Sequence, residues 1–488
     1  MNTLNEQNLK MTNYRWHICA MLFFATTINY LDRQVLSLTW KEFIQPEFHW
    51  TDWHYGLITG TFSLVYAIGM LFAGRLVDWL GTKKGFFWAI FLWSIGACLH
   101  ALCGIGTSGI TTGNWVIGFS DACESIEQFI KIGGNVGLII NVSVVLMIFS
   151  RVVLAIGEAG NFPAAIKATA EYFPKKDRAL ATAIFNAGST IGALAAPLTI
   201  PVLAKYYGWE MSFIIIGALG FVWIGWWLFA YEKPEKHKKV NEAELEYILQ
   251  DKKETSVIAE KAERKLSWIE CFKFKQTWSF ALGKFMTDGV WWFFLFWLPA
   301  YLADSYGLKM SDPQGQLAIF VVYAIVMVSI YTGGFLPKYF MVNKGLDPYA
   351  GRMRAMFIFA LFPLLALLAQ PLGMKYSLWF PVVIIGIAGA AHQSWSANLF
   401  STVSDMIPKS AIATIVGIGG MAGGISAFLI NMGSGALFEY AYETNMKFMG
   451  FTGKPAGYFI VFCICAVAYL IGWVIMKSLV PKYKPVEV

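Results

Sequence analysis

Long apolar runs alternate with short polar breaks along almost the whole chain. A helix needs about 20 mostly apolar residues to cross the hydrocarbon core of a bilayer. Twelve runs approach that length. Six cover residues 16–38, 55–77, 86–103, 136–162, 179–204 and 211–231. A polar stretch, 232–275, follows. Six more runs lie at 278–302, 317–339, 355–370, 376–401, 412–438 and 457–479. The pattern predicts an all-α membrane protein of 12 transmembrane helices. An N-terminal six-helix bundle would occupy 1–231, a linker 232–275, and a C-terminal six-helix bundle 276–488. Two halves of six spans predict a pseudo-symmetric pair with a ligand site between them.

The linker reads as solvated amphipathic helix and coil, either a regulatory segment or a plain tether. The connection 104–134 is long, Gly-rich at both ends, and carries a helical pattern over 120–132. It reads either as a lid on the outer entrance or as an insertion without function. Residues 1–14 are polar, and no small-residue cleavage site follows the first run, so that run reads as an uncleaved span.

Composition agrees with the pattern. Of 488 residues, 57% are hydrophobic and only 14% charged, against about 25% charged in a soluble protein. Aromatic residues make up 16%, which suits two interfacial belts. The net charge of +7 would suggest nucleic acid in a soluble protein. Here the cations cluster between runs. Arg75, Lys83 and Lys84 follow the second run, and Lys175, Lys176 and Arg178 the fourth. Six lysines follow the sixth. Lys338, Lys344, Arg352 and Arg354 follow the eighth, and Lys482 and Lys484 close the chain. The alternate loops are poorer in cations. The positive-inside rule then places both termini in the cytoplasm, in a cell inner membrane, and leaves no case for nucleic-acid binding. The lipid bilayer is the expected surrounding and a monomer the expected state.

The seven cysteines lie mostly in apolar runs, where they act as small hydrophobes. Cys463 and Cys465 have no further Cys or His nearby, so no metal site is expected, nor any cofactor. Cys103 and Cys123 both fall on the outer side, where a disulfide is one option.

Ionisable groups inside the membrane are costly and mark function by default. The first run holds Asn29-Tyr30-Leu31-Asp32-Arg33. Asp32 and Arg33 point about 100° apart on a helix, so they face a polar cavity from different angles. Asp32 is a candidate proton carrier, and the planar fork of Arg33 suits a carboxylate. The other reading is a neutralised structural pair. In the fourth run Arg151 and Glu158 lie seven residues apart on one face, too far along the axis to pair directly, so each should meet groups on other helices. Glu158 is the second candidate proton carrier and Arg151 the second anion holder. A buried four-charge network that only locks two helices is the alternative.

In the seventh run Lys284 and Asp288 have the i, i+4 spacing of a salt bridge. Lys284 is equally readable as a substrate contact or as half of a neutralised pair. Trp292 belongs to an aromatic stretch that is mostly packing, though one ring could stack on a sugar. Gln393, Trp395 and Asn398 form a polar interruption in the tenth run and suit a polyol. His392 beside them reads as structural. Tyr66 and Asn186 are weaker candidates, and Tyr30 joins them as a neighbour of Asp32.

The segment from Gly74 to Lys84, with Asp78, Gly81 and Lys83, resembles the loop signature of the major facilitator superfamily. Its place between the second and third runs makes the match specific. The resemblance implies that Gly74, Asp78, Gly81 and Lys83 gate the cycle without touching substrate. The corresponding loop after the eighth run, at Gly333-Gly334, is degenerate. Asn29 to Arg33, Arg151 with Gly157-Glu158-Ala159, Phe162-Pro163, Glu171 to Pro174, Lys284-Phe285, Trp291-Trp292, Phe296 to Pro299 and Ala391 to Leu399 together resemble the anion:cation symporters. Within that branch they resemble the bacterial hexuronate transporters. The likeness spans nearly the whole chain, and 104–134 is its main departure. It implies proton-coupled uptake of a hexuronate, galacturonate or glucuronate, with Asp32 and Glu158 as protonation sites and Arg33 and Arg151 serving the carboxylate. Another organic anion (galactonate, glucarate or an aromatic acid), efflux, a membrane-embedded enzyme and a transport-dead sensor are the competing readings. The enzyme is disfavoured because no nucleophile–base pair, ligand cluster or phosphate-cradling loop is present.

Overall fold

The computed structural model describes residues 11–255 and 267–486. Before the linker come α1 (Tyr14–Thr39), α2 (Gln45–Phe48), α3 (Asp52–Leu80), α4 (Thr82–Ala101), α5 (Cys103–Thr112) and α6 (Phe119–Lys131). They are followed by α7 (Val136–Glu158), α8 (Asn161–Tyr172), α9 (Lys175–Tyr207) and α10 (Trp209–Ala230). The linker holds α11 (Glu242–Thr255) and α12 (Trp268–Cys271). After it come α13 (Lys275–Tyr306), α14 (Pro313–Val326), α15 (Ser329–Lys344), α16 (Pro348–Leu361) and α17 (Ala366–Lys375). Then follow α18 (Trp379–Met406), α19 (Lys409–Glu443), a small hairpin of β1 (Lys447–Phe448) and β2 (Phe451–Thr452), and α20 (Lys454–Leu479).

Every one of the twelve apolar runs falls on one of these helices or on a broken pair. Nine helical segments among the described residues are long and apolar enough to cross a membrane. Three other long helices, α1, α13 and α18, carry the polar interruptions at Asp32–Arg33, Lys284–Asp288 and His392–Asn398. The rods reverse on glycines. Gly81 at φ 77° ends α3 and opens α4, and Gly208 at φ 91° does the same between α9 and α10. Positive φ at these turns is where a side chain would strain the backbone.

The first described residues, the linker and the C-terminal tail share one end of the molecule, here the terminal end. Thr12 Oγ1 bonds Asn241 and Glu244, and Gln276 Nε2 donates to the Lys484 carbonyl at 2.7 Å. The opposite, loop end carries α2, α5, α6 and the hairpin. Where it is described, the linker packs on the helices. Glu244 of α11, fully buried, pairs with Arg15 at 3.1 Å and accepts from the Tyr14 and Arg15 amides. Tyr247 bonds Asp177 at 2.7 Å. The expectation for 256–266 lies outside the described residues.

Two expectations change. The run 136–162 was expected to be one helix, but it breaks after Glu158. Gly157 packs so closely on α4 that a Cβ would lie 2.3 Å from the Trp93 nitrogen, and one at Gly160 would lie 2.7 Å from Ala89 Cβ. The hydrogen bonding tightens there, with the Gly160 amide donating to the Gly157 carbonyl at 3.1 Å. The connection 104–134 becomes α5 and α6, close to the helix expected at 120–132. Ala122 and Ile126 bury the inner face of α6, and α5 packs on α6 and α7. Cys103 and Cys123 are free thiols.

The closest contact between the two parts of the chain is α3 against α19. Small residues let the backbones meet. A Cβ at Gly56 would lie 2.6 Å from the Asn431 carbonyl oxygen, and one at Gly435 would lie 2.5 Å from that of Asp52. Toward the terminal end the contact loosens. A Cβ at Gly420 would find only Met70 Sδ, at 4.0 Å, and one at Gly74 nothing within 4 Å.

Candidate functional site

Asp32, Arg33, Arg151 and Glu158 are each at most 3% exposed. Arg33 and Glu158 come to one level where the end of α7 meets α1, and Arg151 lies two turns back along α7. Arg33 Nε and Nη2 both donate to Glu158 Oε2, at 2.9 and 2.6 Å. Glu158 therefore meets a group on another helix, as its spacing from Arg151 required. Arg151 does not. Its Nε, Nη1 and Nη2 have no hydrogen-bond partner among the described residues, and neither do both carboxylate oxygens of Asp32 or Oε1 of Glu158. Asp32 interacts with Arg151 and Glu158 through space only. Buried polar groups usually find partners, and each that does not carries a desolvation cost. Asn29 and Asn161, both buried, add amides nearby that have no partner among the described residues.

Arg33 lies in an aromatic box. Its guanidinium carbon is 4.7 Å from the Tyr66 ring centre, 5.0 Å from Tyr30, 5.7 Å from Phe62 and 4.9 Å from Trp292. Such stacking contributes about 0.5–2 kcal/mol per ring, most where water is excluded. The first three rings precede the linker and Trp292 follows it, so both parts of the chain hold one cation. Tyr30, Tyr66 and Trp292 are each partly exposed, which leaves the box an open side.

The other candidates divide. Lys284 and Asp288 form their salt bridge at 2.6 Å, in a niche where a Cβ at Gly423 would crowd Asp288 Oδ2. Asn398 gives both amide hydrogens to backbone, reaching the Gly333 carbonyl at 2.9 Å and that of Ser394 at 2.8 Å, so it ties α18 to α15. Trp395 is fully buried against Tyr469. His392 bonds the Tyr469 hydroxyl at 2.7 Å and stacks on Trp291. Gln393 is half-buried, and Asn186 is exposed on α9 with no side-chain tie to the charged cluster among those described. Asp78 pairs with Lys167 at 2.8 Å and Lys83 with Glu232 at 3.3 Å. The first ties α3 to α8, and the second ties the start of α4 to the first residue of the linker.

A second charged group was not anticipated. At the loop end Lys41 reaches Asp52 at 3.2 Å and Asp304 at 2.9 Å. Lys454 reaches the same carboxylates at 2.5 and 3.8 Å. Lys41 and Asp52 precede the linker, and Asp304 and Lys454 follow it. A short π-helical stretch, Trp40–Ile44, carries Lys41. Beneath the charges Trp40 stacks on Tyr55 at 4.0 Å, Trp297 meets both edge-on, and the Tyr55 hydroxyl donates to the Phe296 carbonyl at 2.7 Å. Thr51 and the Trp53 amide bond Glu439. The loop end is thus closed by ionic and aromatic layers shared between the two parts. All four charges stand at the ends of apolar runs, where hydropathy reads them as loop residues. Each part of the chain supplies one lysine and one aspartate at these run ends.

Comparison with known proteins adds three likenesses. The chain is 25% identical to the hexuronate transporter of Escherichia coli (strain K12) over 483 residues, 98% of this chain and 97% of that one. It is 28% identical to the galacturonate transporter of Dickeya chrysanthemi over 340 residues, 68% of this chain and 86% of that one. Among solved structures it overlays a bacterial homolog of the human lysosomal transporter Spinster, in an inward-facing and unoccupied conformation. The TM-score is 0.68 at 18% identity, with 96% of this chain and 98% of that one covered. Residues 22–431 match the sequence profile of the Major Facilitator Superfamily. With that match over most of its length and a helical fold of the same kind, the chain belongs to the Major Facilitator Superfamily, a multi-pass membrane transporter and not an enzyme.

Proposed function

We propose that this protein is a proton-coupled symporter that imports a small sugar-acid anion, a hexuronate such as galacturonate or glucuronate. The observation that carries the reading is the Arg33–Glu158 pair inside an aromatic box, with Asp32 and Arg151 buried beside it without hydrogen-bond partners among the described residues. The names of the relatives support the substrate class.

In this reading twelve helices cross the inner membrane in two six-helix bundles, both termini are cytoplasmic, and the transporter works as a monomer. The loop end faces outward and is shut, while the α3–α19 contact has parted toward the cytoplasm. Protons entering from outside load Asp32 or Glu158. A neutral Glu158 no longer holds Arg33, and the guanidinium then takes the substrate carboxylate in bidentate form. Arg151 balances the second carboxylate. Tyr30, Tyr66 and Trp292 offer ring faces and hydroxyls to the sugar, with Gln393 and Lys284 on the far wall. The bonds of Asp78 and Lys83, on either side of the Gly81 turn, hold the cytoplasmic ends of the N-terminal bundle while the halves rock, with Gly74 two turns back along α3.

The test is labelled galacturonate uptake into proteoliposomes with and without an inward proton gradient, for wild type and Glu158→Gln. Gradient-driven accumulation lost in the variant, with exchange retained, is expected. No galacturonate flux under a gradient that drives galactonate, glucarate or an aromatic acid would sink the hexuronate assignment.

A further inference from the structure

A groove of about 530 Å³ opens between α15, α16 and α20 at the terminal end, away from the charged cluster. Its walls are Phe340, Met353, Phe357 and Trp473, and its mouth carries Arg354 and Lys477. Arg354, Phe357 and Ile358 share one face of α16, and Trp473 and Lys477 one face of α20, by their i, i+3 and i, i+4 spacing. Phe357 and Trp473 meet at 4.8 Å. Trp473 Nε1 donates to the Met353 carbonyl at 2.8 Å and fixes the wall.

The groove opens onto an apolar flank. Ile464, Val467, Ile471 and Val474 of α20 are all exposed. In a membrane protein such a flank faces acyl chains. Lys477 stands in the last turn of α20 and Arg354 in the second turn of α16, at the depth of headgroups. Arg354 is exposed and forms no ion pair among the described residues. Lys477 lines the groove and donates to the Pro481 carbonyl at 2.5 Å. The nearby Asp405 is taken by Arg352 at 2.9 Å. Positive charge over an apolar, aromatic slot is complementary to one ligand class.

We propose that this groove is a binding site for an anionic phospholipid, its phosphate between Arg354 and Lys477 and one acyl chain along Phe357 and Trp473. Basic pockets between helices at the membrane surface recognise anionic headgroups in this way. The site is separate from the transport pathway and does not depend on which solute is carried.

The experiment uses the full-length protein in detergent, titrated with phosphatidylglycerol or phosphatidylcholine. Bound lipid is read by native mass spectrometry and melting temperature by fluorescence. Wild type should retain phosphatidylglycerol and be stabilised by it more than by phosphatidylcholine. Arg354→Gln and Lys477→Gln should each weaken retention about fivefold, and the double variant about 25-fold, with melting in phosphatidylcholine unchanged. Lys344→Gln, at the same end but outside the groove, should retain the lipid as wild type does. Equal retention of the two lipids, undiminished phosphatidylglycerol in the double variant, an equal loss with Lys344→Gln, or the same stabilisation by inorganic phosphate alone would each overturn the site.

Discussion

Arg33 holds Glu158 through a single oxygen, with Nε at 2.9 Å and Nη2 at 2.6 Å both reaching Oε2 while Oε1 has no hydrogen-bond partner among the described residues. A two-point bridge would spread the guanidinium over both oxygens. This one leaves half of the carboxylate for a proton. Removing one partner of a buried pair strands the other, at a cost of about 3–5 kcal/mol. Glu158→Ala should therefore lower stability by about 3 kcal/mol, and Arg33→Ala with Glu158→Ala by less than the sum of the single changes. Thermal unfolding of the four proteins in one detergent measures this. Strict additivity would mean that the two residues are not coupled.

The loop-end seal should control which way the protein opens. Asp52→Asn with Asp304→Asn leaves Lys41 and Lys454 facing each other without a carboxylate. Loss of about 1.4–2 kcal/mol shifts an equilibrium roughly 10- to 30-fold. Ser434, on α19 beneath the seal, is 2% exposed. Ser434→Cys should react with an aqueous maleimide at least about tenfold faster in the double variant. An unchanged rate would show that the aromatic layer alone closes this end.

Close backbone approach makes a separate handle on the same closure. A side chain at Gly56 would press on the Asn431 carbonyl, and overpacking costs about 1–3 kcal/mol. Gly56→Val should keep the fold yet hold α3 and α19 apart at the loop end. Substrate exchange should fall more than tenfold while the melting temperature moves only a few degrees, in keeping with that cost. Wild-type exchange in Gly56→Val would mean that this contact does not form in the cycle.

The polar candidates on α18 and α13 should behave differently from one another. Asn398 serves two backbone carbonyls, so Asn398→Ala should lower stability by about 1–3 kcal/mol and leave the apparent KM within about twofold. Trp292 stacks on Arg33 from across the linker. Trp292→Ala should raise KM about tenfold with little change in melting, since one stacked cation contributes about 1 kcal/mol or more. The reverse pattern would move the substrate contacts to α18.

Glu47 makes stability depend on pH. It sits in α2, beyond the first span, with Oε1 buried and without a partner among the described residues. Burial pushes its carboxyl up to about 8, against a hydrogen bond from Trp209 Nε1 at 2.7 Å and with the charges of Glu210 and Glu127 nearby. The folded protein thus holds a proton that the unfolded chain releases near pH 4.5. The stabilisation is complete at lower pH and is lost as pH rises from about 4.5 to about 8. Melting temperature should fall across that window in wild type and fall less in Glu47→Gln. Parallel curves would remove Glu47 as the cause.

Apolar length alone determined where the helices run. Burying some twenty apolar residues in lipid outweighs any local preference, so the runs 16–38 and 457–479 fall on α1 and α20. Adjacent charges in hydrocarbon also stood out without a structure, because their insertion cost makes Asp32, Arg33, Arg151 and Glu158 rare. Tertiary structure decided how those charges are shared. Arg33 could have met Asp32, Glu158 or a ligand, and helix rotation and the break after Glu158 chose Glu158. Asn398 and Asn186 looked alike as polar residues in apolar runs. Packing against Gly333 turned one into a helix tie, and exposure on α9 left the other apart. The seal of Lys41, Asp52, Asp304 and Lys454 was invisible to hydropathy because each charge sits at a run end. Only the folding of residues more than 250 positions apart onto one another brings them within salt-bridge reach.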